Sequence, residues 1–550
     1  MGKKKVKTTK KTETTSRYVY PILGILVVGA FLLRIVGQLD KVFVGGNVWF
    51  RGVDSWYHMR LVDNMIANFP HFLEFDRFSI FPAGGVVGYL PLLSWLIATP
   101  GQFLNYEIVA AYLPPIVGAL TLIPVYFIGK EVFSSEVGLL ACLLVAVLPG
   151  EFLHRTLLGF TDHHALEALL MATTFLFFLY SYRTLQWRWI IPAGISLGLY
   201  QLAWAGTSYL LFILGIWMWF EFLRRFKNNE DIYPLCKIIS IPVSIGLLIS
   251  YSFLGQGAIL ISLGVIVVTS GLWLVTKYAK DREQILFGLT ILVPTGLAIV
   301  GFFYSWHGLL TTFFWKGGTT VQEVGWLMPN VMFATYGISF LLMIGGLWFC
   351  PKNKYTALFL IWSLVLIMAS IGQRRWGYYT VIPISLLAAY FTFTITQWVK
   401  PQVRVAIVVI IIAFLLMPNI NNTIRLSQLP NNINADWYVT LTWLEKNTPD
   451  PFTDEDTYYR LKVEEKAQYS VLSWWDYGHW IIRIAKRVPT DSPTLTSNID
   501  AQFFTSETEE EATKALRERN IKYIIVDRTL VEGKWYAIAR RGDKADMDVK

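Results

Sequence analysis

Charged residues are scarce in this chain: Asp, Glu, Lys and Arg make up 16% of its 550 residues, whereas 54% are hydrophobic. Ordinary globular proteins carry about 25% charged residues, so this composition argues against a soluble multi-domain enzyme. Intrinsic disorder is excluded as well, because disordered chains combine low hydrophobicity with dense charge. With a mean hydropathy of +0.44, the composition is typical of a protein that crosses a membrane many times.

Cysteine is also rare, and the three that occur, Cys142, Cys236 and Cys350, lie in or beside apolar runs. Their spacing fits neither a disulfide framework nor a zinc site. A cleaved signal peptide is not expected either, because the basic segment 1–17 precedes an apolar run, 18–39, that is long enough to span about 30 Å of hydrocarbon. We therefore expect a retained first membrane helix.

Thirteen apolar windows predict thirteen membrane-spanning helices. The windows lie at 18–38, 108–129, 135–149, 165–182, 189–204, 206–220, 236–253, 257–276, 285–304, 331–349, 356–371, 377–396 and 405–420. Lys and Arg concentrate at the N-terminus and in alternate loops, whereas the short loops of the other side hold only Arg155, Lys316, Arg374 and Arg375. Under the positive-inside rule, we expect a multi-pass protein of the cell membrane with a cytoplasmic N-terminus and an extracellular C-terminal domain.

Two outer loops, 39–107 and 305–330, are larger than a simple connection requires. The membrane part is therefore predicted to comprise residues 1–421 with these two loops. The remainder, 422–550, changes in composition and carries more charges and turns. Two short runs there, 522–527 and 534–538, predict β-strands, and 507–519 predicts an amphipathic helix. We expect residues 422–550 to form an exterior mixed α/β domain.

Two motifs on the outer side combine carboxylates with imidazoles. The first, Arg51-Gly-Val-Asp-Ser-Trp-Tyr-His-Met-Arg60, contains Asp54, and the second, Gly159-Phe-Thr-Asp-His-His-Ala-Leu-Glu167, contains Asp162 and His164. A carboxylate with an imidazole two residues away suits Mn²⁺ or Mg²⁺ better than a structural zinc ion. The alternatives are an interfacial aromatic belt for the first motif and a helix N-cap at Asp162 for the second.

Three further motifs lie on the same side of the membrane. Glu323 is the only carboxylate of the glycine-rich segment 317–325, and two arginines stand in Gln373-Arg-Arg-Trp-Gly-Tyr-Tyr379. The third motif, Trp474-Trp-Asp-Tyr-Gly-His-Trp480, combines indole donors with an Asp acceptor, which suits a pocket for a small hydroxyl group. For Glu323, the alternative is an acidic residue exposed in a loop. For the two arginines, it is contact with lipid phosphate, and for the third motif it is a buried core element.

Together these motifs resemble the catalytic subunit of oligosaccharyltransferase, in its archaeal single-subunit branch. Trp474-Trp-Asp-Tyr-Gly478 matches the signature of that family, and Thr320-Val-Gln-Glu323 is similar to its short loop motif. Gly52-Val-Asp54 and Asp162-His-His164 look like its two acidic motifs. The resemblance implies a membrane fold of the GT-C type with about thirteen helices and an exterior C-terminal domain. It also implies inverting transfer of a whole glycan from a dolichyl phosphate or pyrophosphate to Asn of Asn-x-Ser/Thr, by a single subunit.

The resemblance implies a role for each site residue. Asp54 and Glu323 would act on the acceptor amide, and Asp54, Asp162 and His164 would bind Mn²⁺ or Mg²⁺. The sequon would be held by Trp474, Trp475, Asp476, Arg375, Lys534 and Ile538, and the lipid phosphate would be contacted by His163, His58 and Arg60. The chain departs from the archaeal pattern at Val531, where the family has an Asp three residues before the lysine. This departure leaves the role of Lys534 open.

Two other functions fit parts of the pattern. A protein O-mannosyltransferase also uses acidic outer loops and a lipid-phosphate donor, but it does not need a hydroxyl-reading pocket in a separate domain. A transporter of lipid-linked glycans would place ionisable residues at the middle of the membrane, whereas the motifs here cluster at the outer face. A nucleic-acid partner is not expected, because the net charge of +9 arises from a basic inner face.

Overall fold

The computed structural model describes residues 13–278, 281, 283, 329–427 and 433–543. Helices dominate these ranges, as the apolar windows predict, and nine spans within them are long and apolar enough to cross a bilayer. The helices of these spans are Glu13–Ile35, Tyr106–Leu120 with Leu122–Val132, His164–Thr184, Ser208–Lys227, Tyr233–Ser250, Gln256–Tyr278, Lys354–Gly372, Gly377–Thr396 and Pro401–Ser427. The predicted class, a polytopic helical membrane protein, is confirmed.

Four of the thirteen predicted windows have other outcomes. Ser135–Val147 and Trp187–Ala203 are helices of 13 and 17 residues. At about 1.5 Å per residue, the first is too short to cross the hydrocarbon core unaided. Pro329–Tyr336 and Ile338–Phe349 replace the window 331–349 and are bent by 107°. Gly337 lies at the bend with φ +55°, a conformation that glycine adopts without strain. The window 285–304 lies outside the described residues.

The predicted first outer loop is a folded layer between the first membrane helix and the helix that begins at Tyr106. Its helices are Leu39–Val42, Val53–Asn68 and Leu92–Gly101, and its two antiparallel strand pairs are Phe43–Val44 with Asn47–Val48 and Phe75–Asp76 with Gly85–Val86. The short helix Glu151–Arg155 follows later in the chain and precedes the second acidic motif. Helix Val53–Asn68 is the central element of this layer, since most of its side chains are buried.

The exterior part combines short helices with one parallel strand pair. The strands are Ser470–Leu472 and Ile521–Ile524, and the helices are Ala435–Asn447, Gly478–Arg483, Ile499–Phe504, Glu509–Glu518, Arg528–Glu532 and Trp535–Arg541. The expected amphipathic helix and the first expected strand are present. The strand expected at 534–538 is wrong: this segment is helical because Ile538 and Ala539 pack one helix face into the core. The last membrane helix reaches Ser427 and therefore passes the expected domain boundary at 422.

The exterior part rests on the first outer loop through a buried cation. Arg483 Nε lies 3.2 Å from Asp63 Oδ2, and a second guanidinium nitrogen pairs with Glu107. Tyr458 donates a hydrogen bond to the same Asp63, at 3.1 Å. Because removing one partner from a buried ion pair leaves an uncompensated charge, this cluster fixes the relative position of the two layers.

Two helices of the membrane part approach each other closely at paired glycines. A Cβ atom added at Gly138 would lie 2.6 Å from the carbonyl oxygen of Tyr126, and one added at Gly129 would lie 2.6 Å from the Cα of Gly138. A Cβ atom added at Gly24, in the first helix, would have no atom within 4 Å. The close packing of Leu122–Val132 on Ser135–Val147 therefore depends on the absence of side chains at 129 and 138.

We expect Gly138→Ala to lower the melting temperature of the detergent-solubilised protein, since overpacking a tight contact costs about 1–3 kcal/mol. Gly24→Ala is the matched control and should keep or slightly raise the melting temperature, because alanine favours helix over glycine. Equal melting temperatures for the two variants would contradict the tight helix contact.

Candidate active site

The first acidic motif forms the start of helix Val53–Asn68. Gly52 precedes this helix at φ +76°, and a Cβ atom there would come within 3.3 Å of the Phe160 ring, so the position favours glycine on both counts. Asp54 stands in the first helical turn, where the helix dipole favours a negative charge. Its side chain is 44% exposed, and its Oδ1 lies 3.3 Å from Nδ1 of His479.

The second acidic motif places Asp162 among three imidazoles. Its Oδ1 lies 3.1 Å from Nε2 of His58 and 2.6 Å from Nδ1 of His163, and its Oδ2 lies 3.4 Å from Nε2 of His164. His58 follows Asp54 by four residues on one helix, so the two side chains face the same side. Helix Val53–Asn68 therefore brings the two acidic motifs together although they are more than 100 residues apart.

A second carboxylate, Glu167, holds the histidines from the membrane side. Its oxygens accept hydrogen bonds from Nδ1 of His164 and from the hydroxyl of Tyr378, both at 2.8 Å, and also from the hydroxyl of Tyr379. Nε2 of His163 lies 3.2 Å from Glu167 Oε1. This role of Glu167 is not among those expected from the sequence, although Glu167 follows His164 by three residues, a spacing that places both on one helix face.

The donor set fits a divalent metal ion. Among the described residues, two groups bring their ligand atoms within 4.8 Å of one another: His58, Asp162 and His163, and His163, His164 and Glu167. Imidazole nitrogens with carboxylate oxygens are common ligands of divalent transition metals. Neither group includes Asp54. The geometry thus centres the candidate site on Asp162, and the expectation that Asp54 shares the ion stays a prediction.

Electrostatics favours a charged Asp162. Burial acts to raise the pKa of its carboxyl group, but the nearby His164 and His163 outweigh burial and hold that pKa well below its usual range. Burial also acts to lower the pKa of His163, yet the Asp162 carboxylate raises it to about 9. Burial dominates at His58, whose pKa is lowered. A metal ion bound here would displace the proton of His163, since ligating imidazoles are neutral.

The signature motif combines a partly exposed carboxylate with a buried indole donor. The backbone N–H of Trp475 donates to Asp500 Oδ2 at 2.9 Å, whereas its buried indole N–H has no hydrogen-bond partner among the described residues. Asp476 is 30% exposed and pairs with Lys534. Because Val531 replaces the family's Asp, Lys534 makes its ion pair with Asp476 itself. The partly exposed carboxylate of Asp476 can accept a hydrogen bond from a small hydroxyl group.

The remaining expected site residues are placed differently. Arg60 is buried and pairs with Asp76 at 3.1 Å, so its position does not support the expected phosphate contact. Ile538 has no exposed surface, and Arg375 is exposed in the turn before helix Gly377–Thr396. Glu323, with the rest of the segment 317–325, lies outside the described residues.

Comparison with known protein families identifies similar proteins for nearly the whole chain. The model of the family described as oligosaccharyl transferase STT3, N-terminal, matches residues 25–280, and the AglB core domain model matches 434–531. Dolichyl-phosphooligosaccharide-protein glycotransferase 3 of Archaeoglobus fulgidus is 28% identical over 94% of this chain and 70% of its own length. The two family models together cover well over half of the chain.

Two solved structures of A. fulgidus oligosaccharyltransferase are similar over nearly the whole chain. The archaeal enzyme AglB in complex with an inhibitory peptide and a dolichol-phosphate has a TM-score of 0.88 at 26% identity, over 96% of this chain and 72% of its own. The complex with Zn and sulfate has a TM-score of 0.79 at 27% identity, over 94% of this chain and 69% of its own. The chain belongs to the STT3/AglB family of oligosaccharyltransferases, in its archaeal branch.

Proposed function

We propose that this oligosaccharyltransferase moves an oligosaccharide en bloc from a dolichyl phosphate or pyrophosphate to the Asn side chain of Asn-x-Ser/Thr. One observation carries this proposal: His479, next to the signature motif, contacts Asp54 of the acidic site. A pocket suited to a hydroxyl group thus lies beside a cluster suited to a metal and a phosphate. The relatives' bound peptide and dolichol-phosphate are the two ligands that such a pair of sites would take.

The acceptor amide needs activation because its lone pair is delocalised into the carbonyl group. Rotation about an amide bond has a barrier of about 18–20 kcal/mol, so a partial twist is the most that the site can impose. Asp54 is exposed enough to accept a hydrogen bond from the amide N–H, and Glu323 is proposed as the second acceptor. Two carboxylates on the two N–H groups would weaken the resonance and strengthen the nucleophile.

The donor phosphate is proposed to bind at the Asp162 cluster. Asp54, Asp162 and His164 are the ligands that the family pattern implies, and His58 and His163 lie close enough to Asp162 to share or replace them. A bound Mn²⁺ or Mg²⁺ ion would neutralise charge on the leaving phosphate as a Lewis acid. His163, with its raised pKa, also offers a positive charge to a phosphate oxygen when it does not ligate the metal.

Transfer is proposed to invert the anomeric centre. Direct attack by the amide nitrogen, opposite the leaving phosphate, inverts that carbon in one displacement. This route needs no covalent intermediate with the protein. The proposed roles of Asp54 and Asp162 fit this route, since Asp54 would orient the nucleophile and Asp162 would belong to the site of the leaving group.

Sequon specificity is proposed to reside in the signature pocket. Trp474, Trp475 and Asp476 would bind the Ser/Thr hydroxyl, with the unpaired indole N–H of Trp475 as donor. Lys534 would orient the Asp476 carboxylate through its ion pair. Arg375 would lie along the peptide, and Ile538 would act as packing under the pocket because it is fully buried.

The membrane arrangement is proposed to have thirteen helices of the GT-C type. The distribution of Lys and Arg supports a cytoplasmic N-terminus and an extracellular C-terminal domain in the cell membrane. The exterior part carries the signature motif and rests directly on the first outer loop. We propose that one subunit suffices, since both halves of the site come from this chain.

The function is tested by mixing the purified protein with extracted dolichyl-linked oligosaccharides, Mn²⁺ and a fluorescent Asn-x-Thr peptide. A glycopeptide is expected to form, to disappear with a chelator and to return with added Mn²⁺. Asp162→Asn should lower the rate more than about 100-fold, because it removes the buried charge at the cluster centre. Asp436→Asn, at an exposed helix start, is the control. Full activity of Asp162→Asn would exclude the proposed site.

Recognition of the Thr hydroxyl group is tested by replacing Thr of the peptide with Val. We expect turnover to fall more than about 100-fold, because Asp476 and the indole donor would be left unpaired in the complex. Asp476→Ala should remove most of this discrimination as well as activity. Equal glycosylation of the Thr and Val peptides would remove the signature pocket from its proposed role.

The support that Glu167 gives to the histidines is tested by metal binding without substrates. Glu167→Gln is expected to weaken Mn²⁺ binding about 10–100-fold, because the carboxylate that orients a ligating imidazole is lost. The affinity can be measured from the free Mn²⁺ signal in electron paramagnetic resonance. Glu136→Gln, in an exposed first turn, is the control. Unchanged affinity in Glu167→Gln would contradict the proposed support.

A further inference from the structure

His479 belongs to the exterior part but lies against helix Val53–Asn68 of the first outer loop. Its side chain is fully buried, and its ring stacks on Tyr57 with the centroids 4.8 Å apart at 22°. Its Nδ1 lies 3.3 Å from Asp54 Oδ1, and its Nε2 lies 3.5 Å from Thr494 Oγ1. Each nitrogen therefore faces a polar group, and one of them is a proposed catalytic carboxylate.

The turn that carries His479 has little freedom to move. A Cβ atom at Gly478 would lie 2.5 Å from the carbonyl oxygen of Asp491 and 2.6 Å from the Cα of Ser492, so the backbones are in direct contact there. Trp475, on the other side of Asp476, is held by its N–H bond to Asp500. The segment 475–479 is thus pressed against its own domain, and Asp476 and His479 are held as one unit.

A sequon imposes a fixed distance on the site. Asn and Ser/Thr stand two residues apart, so they are separated by at most about 7 Å of extended chain. The group that reads the hydroxyl and the group that acts on the amide must keep a matching separation. Asp476 and Asp54 come from different layers of the protein, and His479 is the side chain that connects the turn of one to the carboxylate of the other.

We propose that His479 is a positioning residue that sets the Asp54 carboxylate at the distance from Asp476 that an Asn-x-Ser/Thr sequon requires. This inference rests on the proposed function. Stacking on Tyr57 orients the imidazole, and the contact with Nδ1 selects one orientation of the carboxylate. The exposed part of Asp54 is then directed at the acceptor amide before the peptide arrives, which lowers the cost of reaching the productive geometry.

Three substitutions at His479 distinguish a positioning role from a packing role. His479→Phe keeps a flat ring on Tyr57 but removes the nitrogen that faces Asp54. His479→Asn loses the ring but places an amide nitrogen near the position of Nδ1, whereas His479→Gln places it near Nε2. The matched control is the same set of changes at His71, which is exposed in the first outer loop.

With the full chain, donor lipid, Mn²⁺ and an Asn-x-Thr peptide, we expect His479→Phe to lower kcat about 10–100-fold, the usual effect of removing an outer partner of an active-site carboxylate. The KM for the peptide should change less than threefold, because the hydroxyl pocket is intact. His479→Asn should recover at least a third of the parental kcat, and His479→Gln should recover less. The His71 variants should match the parent.

The possible results separate this inference from the function on which it rests. An unmodified protein that does not glycosylate the peptide would overturn both. An active parent with an unchanged kcat in His479→Phe would overturn the positioning role alone. If His479→Phe does not fold, the Asn and Gln variants decide: equal kcat values for these two would show that the atom facing Asp54 does not matter. A raised KM with an unchanged kcat would assign His479 to peptide binding and also overturn the inference.

Discussion

The contact between the exterior part and the first outer loop sets the position of the signature motif relative to Asp54. Arg483 is buried between Asp63 and Glu107, and its guanidinium lies 5.6 Å from the centre of the Trp56 ring. All of these loop residues except Glu107 belong to the helix that carries Asp54 and His58. A charge buried in this way is stable only while its partners stay in place, so separating the helix from the exterior part would leave an uncompensated charge.

The same helix also contributes His58 to the charged cluster around Asp162. Asp162 is buried, and buried charges interact more strongly than charges in bulk solvent. Its carboxylate contacts imidazoles from the helix Val53–Asn68 and from its own motif, and Glu167 holds two of these imidazoles in turn. A site assembled in this way is ordered before a donor binds, and such preorganisation is the larger part of electrostatic catalysis.

Much of the membrane part could be predicted from the sequence because apolar length and basic loops are local signals. The bend at Gly337 and the short helix Ser135–Val147 could not, since both are set by packing against neighbours. The helix Trp535–Arg541 could not be told from a strand because the four apolar residues 535–538 are too few to show a distinctive period. The ion pair of Arg60 with Asp76, a strand residue 16 positions later, is likewise not indicated by any local pattern.

Among the site residues, too, the motifs could be predicted from local sequence but the contacts between them could not. Asp54, Asp162 and Asp476 stand in motifs that can be recognised one by one. The contacts between the motifs are not encoded locally: His479 meets Asp54, and Arg483 meets Asp63, across more than 400 residues. The pairing of Lys534 with Asp476 likewise depends on how the last helix packs, although Val531 already indicated that the lysine lacks its usual partner.

The spacing between Asn and Thr in the acceptor peptide tests most directly whether the signature motif and the acidic site are held at a fixed distance. Asn-x-Thr and Asn-x-x-Thr peptides of equal length can be offered together to the protein with its donor and Mn²⁺, and the modified residue can be located by mass spectrometry. If the exterior part and the first outer loop hold the hydroxyl pocket at a fixed distance from Asp54, only the Asn two positions before Thr is glycosylated at a significant rate. Comparable modification of the Asn three positions before Thr would contradict a fixed spacing between the two sites.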